Sequence, residues 1–221
     1  MEDINQQVLL LHGLGRSPRS MHKLQKALQD SNYKVINAGY LGVLGDYKQI
    51  LAQLTGKILA EIDPNQPLHF VGHSFGGLLI RGLLAQDNNW KLARCVMLGT
   101  PNQGTNTAAY MSSHAILKHF TPKVARQLAP GSELIRTLPE PSIETGIIAG
   151  NRSRSILVPV TWFYNRATDN APGDGVVEIS NTRCCNMSDF IELPLHHSFM
   201  MWDSQLIEQT IHFLKNGQFR R

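Results

Sequence analysis

A serine with a glycine two positions to either side is the first feature of the chain whose residue types and spacing could do chemistry. Gly72-His73-Ser74-Phe75-Gly76 has the form G-x-S-x-G. That spacing suits a sharp strand-to-helix turn. The serine takes a strained backbone conformation, and the small flanking residues let strand and helix approach closely. Such a turn lifts a hydroxyl clear of a sheet and aims a helix N-terminus at it, where negative charge is favoured. The chemistry served is nucleophilic attack by Ser74. A five-residue match is weak alone, and its context decides. An apolar run, Leu68–Gly72, precedes it and a helical pattern through Leu78–Leu84 follows, as the turn requires.

A serine hydroxyl needs a base near neutral pH, and the base needs an orienting acid. In folds built around this turn the chain order is nucleophile, acid, histidine. Of nine histidines only His196, His197 and His212 come late. His212 falls inside a helical pattern. His197 leads Ser198-Phe199-Met200-Met201 into that helix and is the candidate base, with His196 as the alternative. Asp174, in Gly173-Asp174-Gly175-Val176-Val177, is the candidate acid, since glycines on both sides free the backbone to aim its carboxylate. Asp169 and Glu178 are the alternatives, and Asp189 opens a strand.

An oxyanion formed at the substrate carbonyl needs donors. His12-Gly13-Leu14-Gly15 follows the first apolar run. The backbone N–H groups of Leu14 and of Phe75 are the candidate donors, each costing roughly 3–4 kcal/mol of transition-state stabilisation if lost. His12 is read as structural, because the base comes last. No cofactor is needed for this chemistry. No metal site is assigned: adjacent His196 and His197 point their rings apart, and no helical H-x-x-x-H pair with a third ligand is present.

The elements that must position these groups alternate in type. Val8–Leu11, Tyr33–Ala38, Leu68–Gly72 and Ala93–Leu98 read as buried strands, and Ser20–Asp30, Asp46–Ile62 and the segment through Leu84 as helices. This alternation predicts an α/β fold with a mostly parallel sheet flanked by helices on both faces. The regular pattern breaks over 101–141, where only Pro122–Leu128 and Glu133–Leu138 read as short helices. Strands resume at Thr145–Ala149, Val158–Tyr164 and Phe190–Leu193, and an amphipathic helix runs from about Trp202 to Leu214. The expectation is one domain, 1–221, with 101–141 inserted as a cap or lid. Ala108, Met111, Ile116, Leu117 and Phe120 of that segment could line an acyl pocket or simply pack.

Composition narrows the function classes. The chain has 221 residues, 42% hydrophobic and 17% charged, within the range of ordinary globular proteins. A net charge of +4, spread along the chain without a basic helix or an aromatic-interleaved stripe, argues against nucleic-acid binding. Three cysteines, two of them the adjacent Cys184 and Cys185, form neither a disulfide framework nor a zinc spacing, and Cys95 in an apolar run reads as a buried filler. No apolar stretch reaches membrane-spanning length and no signal peptide precedes Val8, so a cytoplasmic location is expected.

H-G-L-G, G-H-S-F-G-G, L-G-T-P-N-Q-G-T, G-D-G-V-V and H-S-F-M-M, in this order, resemble the motifs of α/β-hydrolase lipases and esterases. The likeness runs over nearly the whole chain and is nearest to small bacterial lipase-like hydrolases that lack the first strands of the full fold. Asn102 stands where many lipases carry histidine. The resemblance implies hydrolysis of a small-molecule or lipid ester through a Ser74–His197–Asp174 triad and an acyl-enzyme. It supports Asp174 and His197, since the acid precedes G-x-V and the base precedes a short apolar run in those relatives. A thioesterase or acyltransferase would use the same residues. A non-catalytic binding protein on this fold would show a broken triad, and none of these elements is broken. Acyl length and oligomeric state are not legible from the motifs.

Overall fold

A computed structural model describes residues 6–42, 45–114, 122–153 and 167–221. Strand β1 (Gln7–Leu11) is followed by helix α1 (His22–Asp30), β2 (Lys34–Ala38), α2 (Tyr47–Ile58), β3 (Pro67–His73), α3 (Phe75–Leu84) and β4 (Lys91–Leu98). Three short helices come next: α4 (Asn106–Ser113), α5 (Lys123–Arg126) and α6 (Glu133–Thr137). The chain closes with β5 (Thr145–Gly150), α7 (Ile179–Thr182), β6 (Met187–Leu193) and α8 (Ser204–Asn216). The strands form one six-stranded sheet in the order β2-β1-β3-β4-β5-β6, every pairing parallel. The alternation predicts this parallel α/β sheet, and the arrangement is the α/β-hydrolase architecture that the motif resemblance implies.

Alternate residues of the central strands separate into two cores, as the two-residue strand period requires. Leu9, Leu11, Phe70, Met97 and Ile147 face α2 and α3. Val8, Leu10, Val71, Val96 and Ile148 face α1 and α8. The strands are therefore buried on both faces and read as unbroken apolar runs. Asp46 and Gln49 close α2 with a reciprocal capping box, at 3.0 and 3.1 Å. The α-helix there stops at Ile58, four residues short of the expected end, and Ile62 reaches the core from the following turn. Helix α8 ends where expected, on Gly217 in the left-handed conformation.

Strand β6 begins at Met187 rather than Phe190. The expected strand Val158–Tyr164 lies outside the described residues. Within 101–141 the sequence pattern does not predict α4, because Asn-Thr-Ala-Ala-Tyr-Met-Ser-Ser carries no clear apolar stripe. Among the described residues no helix is long and apolar enough to cross a membrane.

Strand β1 has β2 on one side and β3 on the other, so the winding reverses between β1 and β3. A crevice opens at the carboxyl ends of strands where such a reversal occurs. The loop after β1, the turn after β3 and the loops after β5 and β6 all emerge at that edge of the sheet.

Candidate active site

Ser74 stands between β3 and α3 with φ 54° and ψ −123°, a left-handed conformation unusual for a residue with a side chain. Two close approaches force the turn. A Cβ on Gly72 would lie 2.6 Å from the Gly77 nitrogen, and one on Gly76 would lie 2.4 Å from the Leu11 carbonyl oxygen. Both obstacles are backbone, so only glycine lets α3 fold back over β3 and press against β1. Phe75 is fully buried, its ring centroid 6.0 Å from Tyr40 and 6.1 Å from Tyr47, which fixes the first turn of α3.

His197 and Asp174 come to this turn from the loops after β6 and β5. The Asp174 carboxylate is fully buried. Its Oδ1 accepts from the N–H groups of Val176 and Val177 at 3.0 and 2.8 Å. Its Oδ2 accepts from His197 Nδ1–H at 2.7 Å. Nδ1 therefore holds the ring proton and Nε2 is left to accept from Ser74 Oγ, at 2.9 Å. The backbone adds His197 N–H to the Asp174 carbonyl at 3.0 Å. The three residues picked out by chain order thus meet in one hydrogen-bonded line, 23 and 123 positions apart.

The alternatives lie elsewhere. Asp169 is exposed. Glu178 is buried at the start of α4, accepting from Asn106 N–H at 3.2 Å. Asp189 is the third residue of β6 and accepts from Phe219 N–H at 2.8 Å. His212 donates to the Gln218 carbonyl at the end of α8. His196 makes no hydrogen bond to Ser74 or Asp174 among the described residues.

Leu14 and Phe75 flank the reversal point of the sheet, and neither backbone N–H has an acceptor among the described residues. His12 holds the loop that carries Leu14. Its ring stacks on Tyr40 at 4.2 Å and 8°, Tyr40 Oη donates to the His12 carbonyl, and His12 Nδ1–H donates to the Gly13 carbonyl at 2.9 Å. Burial lowers the His12 pKa, so the ring serves this loop as a neutral group.

Two residues near the site escaped the motif reading. His73, the second residue of G-x-S-x-G, donates from Nε2–H to the His197 carbonyl at 2.9 Å. Burial, and then the neighbouring His197, hold its pKa well below the ordinary histidine value. A polar residue inside an otherwise buried strand was the available signal. Arg81, on α3 and 2% exposed, donates to the carbonyls of Asn102, Leu138 and Pro139 at 3.0, 2.7 and 2.9 Å. It also meets Glu140 at 3.4 Å. Asn102 is part of the same framework: its Oδ1 accepts from Arg81, and its Nδ2 donates to the Thr182 carbonyl at 2.7 Å. Cys95 and Cys184 do not compete with Ser74. Cys95 is fully buried with its pKa raised by burial, and burial pushes Cys184 up to about 12.

Ser74 and His197 open into a cavity of about 370 Å³. Helix α4 supplies Thr107, Ala108 and Met111, and the α5 region supplies Pro122, Ala125 and Leu128. Val176 and Val177 complete the wall on the Asp174 side. Ile116, Leu117 and Phe120, also expected as possible lining, lie outside the described residues.

Comparison with known proteins bears on this site directly. The model of the palmitoyl protein thioesterase family matches residues 7–148. The match takes in Ser74 and the loop carrying Leu14, and ends before Asp174 and His197. A fission yeast protein (Schizosaccharomyces pombe), palmitoyl-protein thioesterase-dolichyl pyrophosphate phosphatase fusion 1, is 31% identical over 115 residues. The alignment spans 45% of this chain and 18% of that relative. Among solved structures, the mature form of a Bacillus licheniformis lipase superposes with a TM-score of 0.78 at 15% identity, covering 96% of this chain and 93% of its own. A metagenomic carboxyl esterase superposes with a TM-score of 0.72 at 15% identity, covering 89% and 66%. At these identities the structural likeness concerns the fold.

Proposed function

The chain belongs to the palmitoyl protein thioesterase family of α/β-fold hydrolases, and from that premise we propose that it hydrolyses acyl esters, thioesters included, with Ser74 as nucleophile. The observation that carries this reading is the unbroken hydrogen-bonded line from Asp174 through His197 to Ser74, ending at a cavity walled largely by aliphatic side chains. Ser74 Oγ attacks the acyl carbonyl while His197 Nε2 takes its proton. Asp174 keeps the Nδ1–H tautomer in place and stabilises the imidazolium. The tetrahedral oxyanion is received by the N–H groups of Leu14 and Phe75. His197 then returns the proton to the departing alcohol or thiol, and water, activated by the same histidine, releases the acid from Ser74. A thiol leaving group has a pKa of about 8.5 and needs less help in departing than an alkoxide. One constellation therefore serves both bond types. In this reading α4 and α5 cap the site, and the acyl chain lies against them.

A fluorophosphonate probe is expected to label the wild-type protein at Ser74 and to leave Ser74→Ala unlabelled. A wild-type protein that resists the probe would sink the assignment. Matched series of p-nitrophenyl esters and acyl thioesters then read the substrate. Turnover is expected in both series, rising with acyl length until the chain outgrows the cavity.

A further inference from the structure

A second groove, of about 400 Å³, adjoins the acyl cavity and shares Gly15 and Arg16 with it. Ser17, Arg19, Ser20 and Trp202 form its other walls. Arg16 and Arg19 are exposed, and neither has a carboxylate within ion-pair distance among the described residues. The Lys23 ammonium donates to the carbonyl of the same Trp202 at 2.6 Å, and it has no carboxylate within ion-pair distance among the described residues. Asp203, the nearest acid in the chain to Trp202, is engaged in capping α8 through the Leu206 N–H at 3.0 Å. The groove is built rather than loose. Trp202 Nε1–H donates to the Ser20 carbonyl at 2.7 Å, tying its two walls together, and Arg16 Nη2 donates to the Ser198 carbonyl at 3.3 Å.

That last contact sets the direction. His197 Nε2 must reach the departing atom to protonate it, so the leaving group lies on the His197 side of Ser74. Ser198 follows His197 directly, and Arg16 is anchored on it. The acyl chain has α4 and α5 on the other side. A leaving group passing His197 meets the Arg16 and Arg19 guanidiniums, neither of them paired with a carboxylate among the described residues. Guanidinium groups bind phosphate oxygens in a forked, bidentate geometry.

We propose that this groove binds the phosphate of a phosphate-bearing leaving group, and that the preferred substrates are acyl esters or thioesters whose alcohol or thiol half carries a phosphate. The proposal rests on the hydrolase reading above. A phosphorylated thiol of the coenzyme A type and a phospholipid headgroup share this chemistry.

Two substrate pairs separate the sources. Decanoyl-4′-phosphopantetheine is compared with decanoyl-pantetheine, and decanoyl lysophosphatidic acid with monodecanoylglycerol. Within each pair the acyl chain and bond are the same and only the phosphate differs. Wild type is expected to favour the phosphate-bearing member in kcat/KM, and an Arg16→Gln/Arg19→Gln double variant is expected to lose about tenfold of that preference, mainly through KM. The preference should also shrink as salt is raised. Preference confined to the first pair assigns the phosphorylated thiol; confined to the second, the lipid headgroup. No preference in either pair, or one that the double variant retains, overturns the proposal. Calorimetric binding of coenzyme A and of decyl phosphate to Ser74→Ala needs no turnover. Binding that the two arginine substitutions abolish, without hydrolysis of any substrate by wild type, leaves the groove standing and removes the hydrolase reading. Hydrolysis of the neutral members with no anion preference does the reverse.

Discussion

Both carboxylate oxygens of Asp174 are engaged. Oδ1 is held by two backbone N–H groups and Oδ2 by His197 Nδ1–H. In Asp174→Asn the single carbonyl oxygen must stay on Val176 and Val177, because an amide NH2 there would face two donors. The NH2 then faces His197, whose Nδ1 becomes the acceptor and whose Nε2 carries the proton. Nε2 can no longer accept from Ser74. The expected outcome is a fall in kcat of about 10³- to 10⁴-fold with the fold intact, the size seen when a triad histidine is held in the wrong tautomer. Steady-state kinetics beside a thermal melt checks it, and near-normal activity would show that another group is the acid. His73 makes a milder case. His73→Phe removes the donor to the buried His197 carbonyl. It should destabilise the protein by about 1–3 kcal/mol in urea unfolding and lower kcat more than it raises KM. An unchanged kcat would leave His73 a packing residue only.

At the scale of elements, helix α3 is the piece on which the site turns, and its two constraints are of different legibility. Gly76→Ala drives a methyl against the Leu11 carbonyl at 2.4 Å and the His12 carbonyl at 2.7 Å. Backbone on both sides cannot give way cheaply, so α3 must move off β1. A destabilisation of at least about 2 kcal/mol is expected, with loss of probe labelling at Ser74 before the protein unfolds. Arg81→Met keeps the apolar stem of the side chain and removes its donors. The carbonyls of Asn102, Leu138 and Pro139 then lose their shared donor, and about 3–5 kcal/mol of stability should go. Urea unfolding reads this, and a loss below about 1 kcal/mol would show that water replaces the guanidinium. The glycine constraint was legible because motif spacing encodes a local turn. The Arg81 constraint was not: an arginine in Gly-Gly-Leu-Leu-Ile-Arg-Gly-Leu-Leu reads as one surface charge, and its acceptors come from residues 21 and 57–58 positions away. The same distinction runs through the fold. Strands β1, β3 and β4 showed as apolar runs because both their faces are buried. The start of β6 was hidden, because Ser188 and Asp189 on this sheet-edge strand stay partly in contact with solvent. Ser74, Asp174 and His197 could be named from chain order and flanking glycines, whereas the arginine groove could not, since Trp202 closes it from the far end of the chain.

Across the whole molecule the two ends of the sheet do different work. The carboxyl edge holds the site, and the opposite end holds His69 on β3, where the neutral ring is fully used. Its Nε2–H donates to Gln6 Oε1 at 2.8 Å, and its Nδ1 accepts from Arg94 N–H at 3.2 Å. Protonating Nδ1 would set two donors against each other and place a charge in a buried position beside the Arg94 cation. Burial first, and Arg94 second, lower the pKa of His69 to about 4. In the unfolded chain the same ring takes up a proton near its ordinary value of about 6.5. The unfolded state therefore binds more protons between those two values, and stability must fall as pH falls through them. The contribution is whole above about pH 6.5, shrinks progressively below it, and levels off under about pH 4, a span worth roughly 3 kcal/mol. His12 and His73, lowered by burial as well, act in the same direction. Replacing His69 by Gln removes one titrating group at a distance from Ser74. The difference in unfolding free energy between wild type and His69→Gln, measured in urea from pH 7.5 to 4, should change by about 3 kcal/mol across that window. Carboxylates that titrate in both proteins cancel in that difference. A difference that stays flat with pH would mean that the ring is already charged in the folded protein, and that the Arg94 N–H is satisfied by some other acceptor.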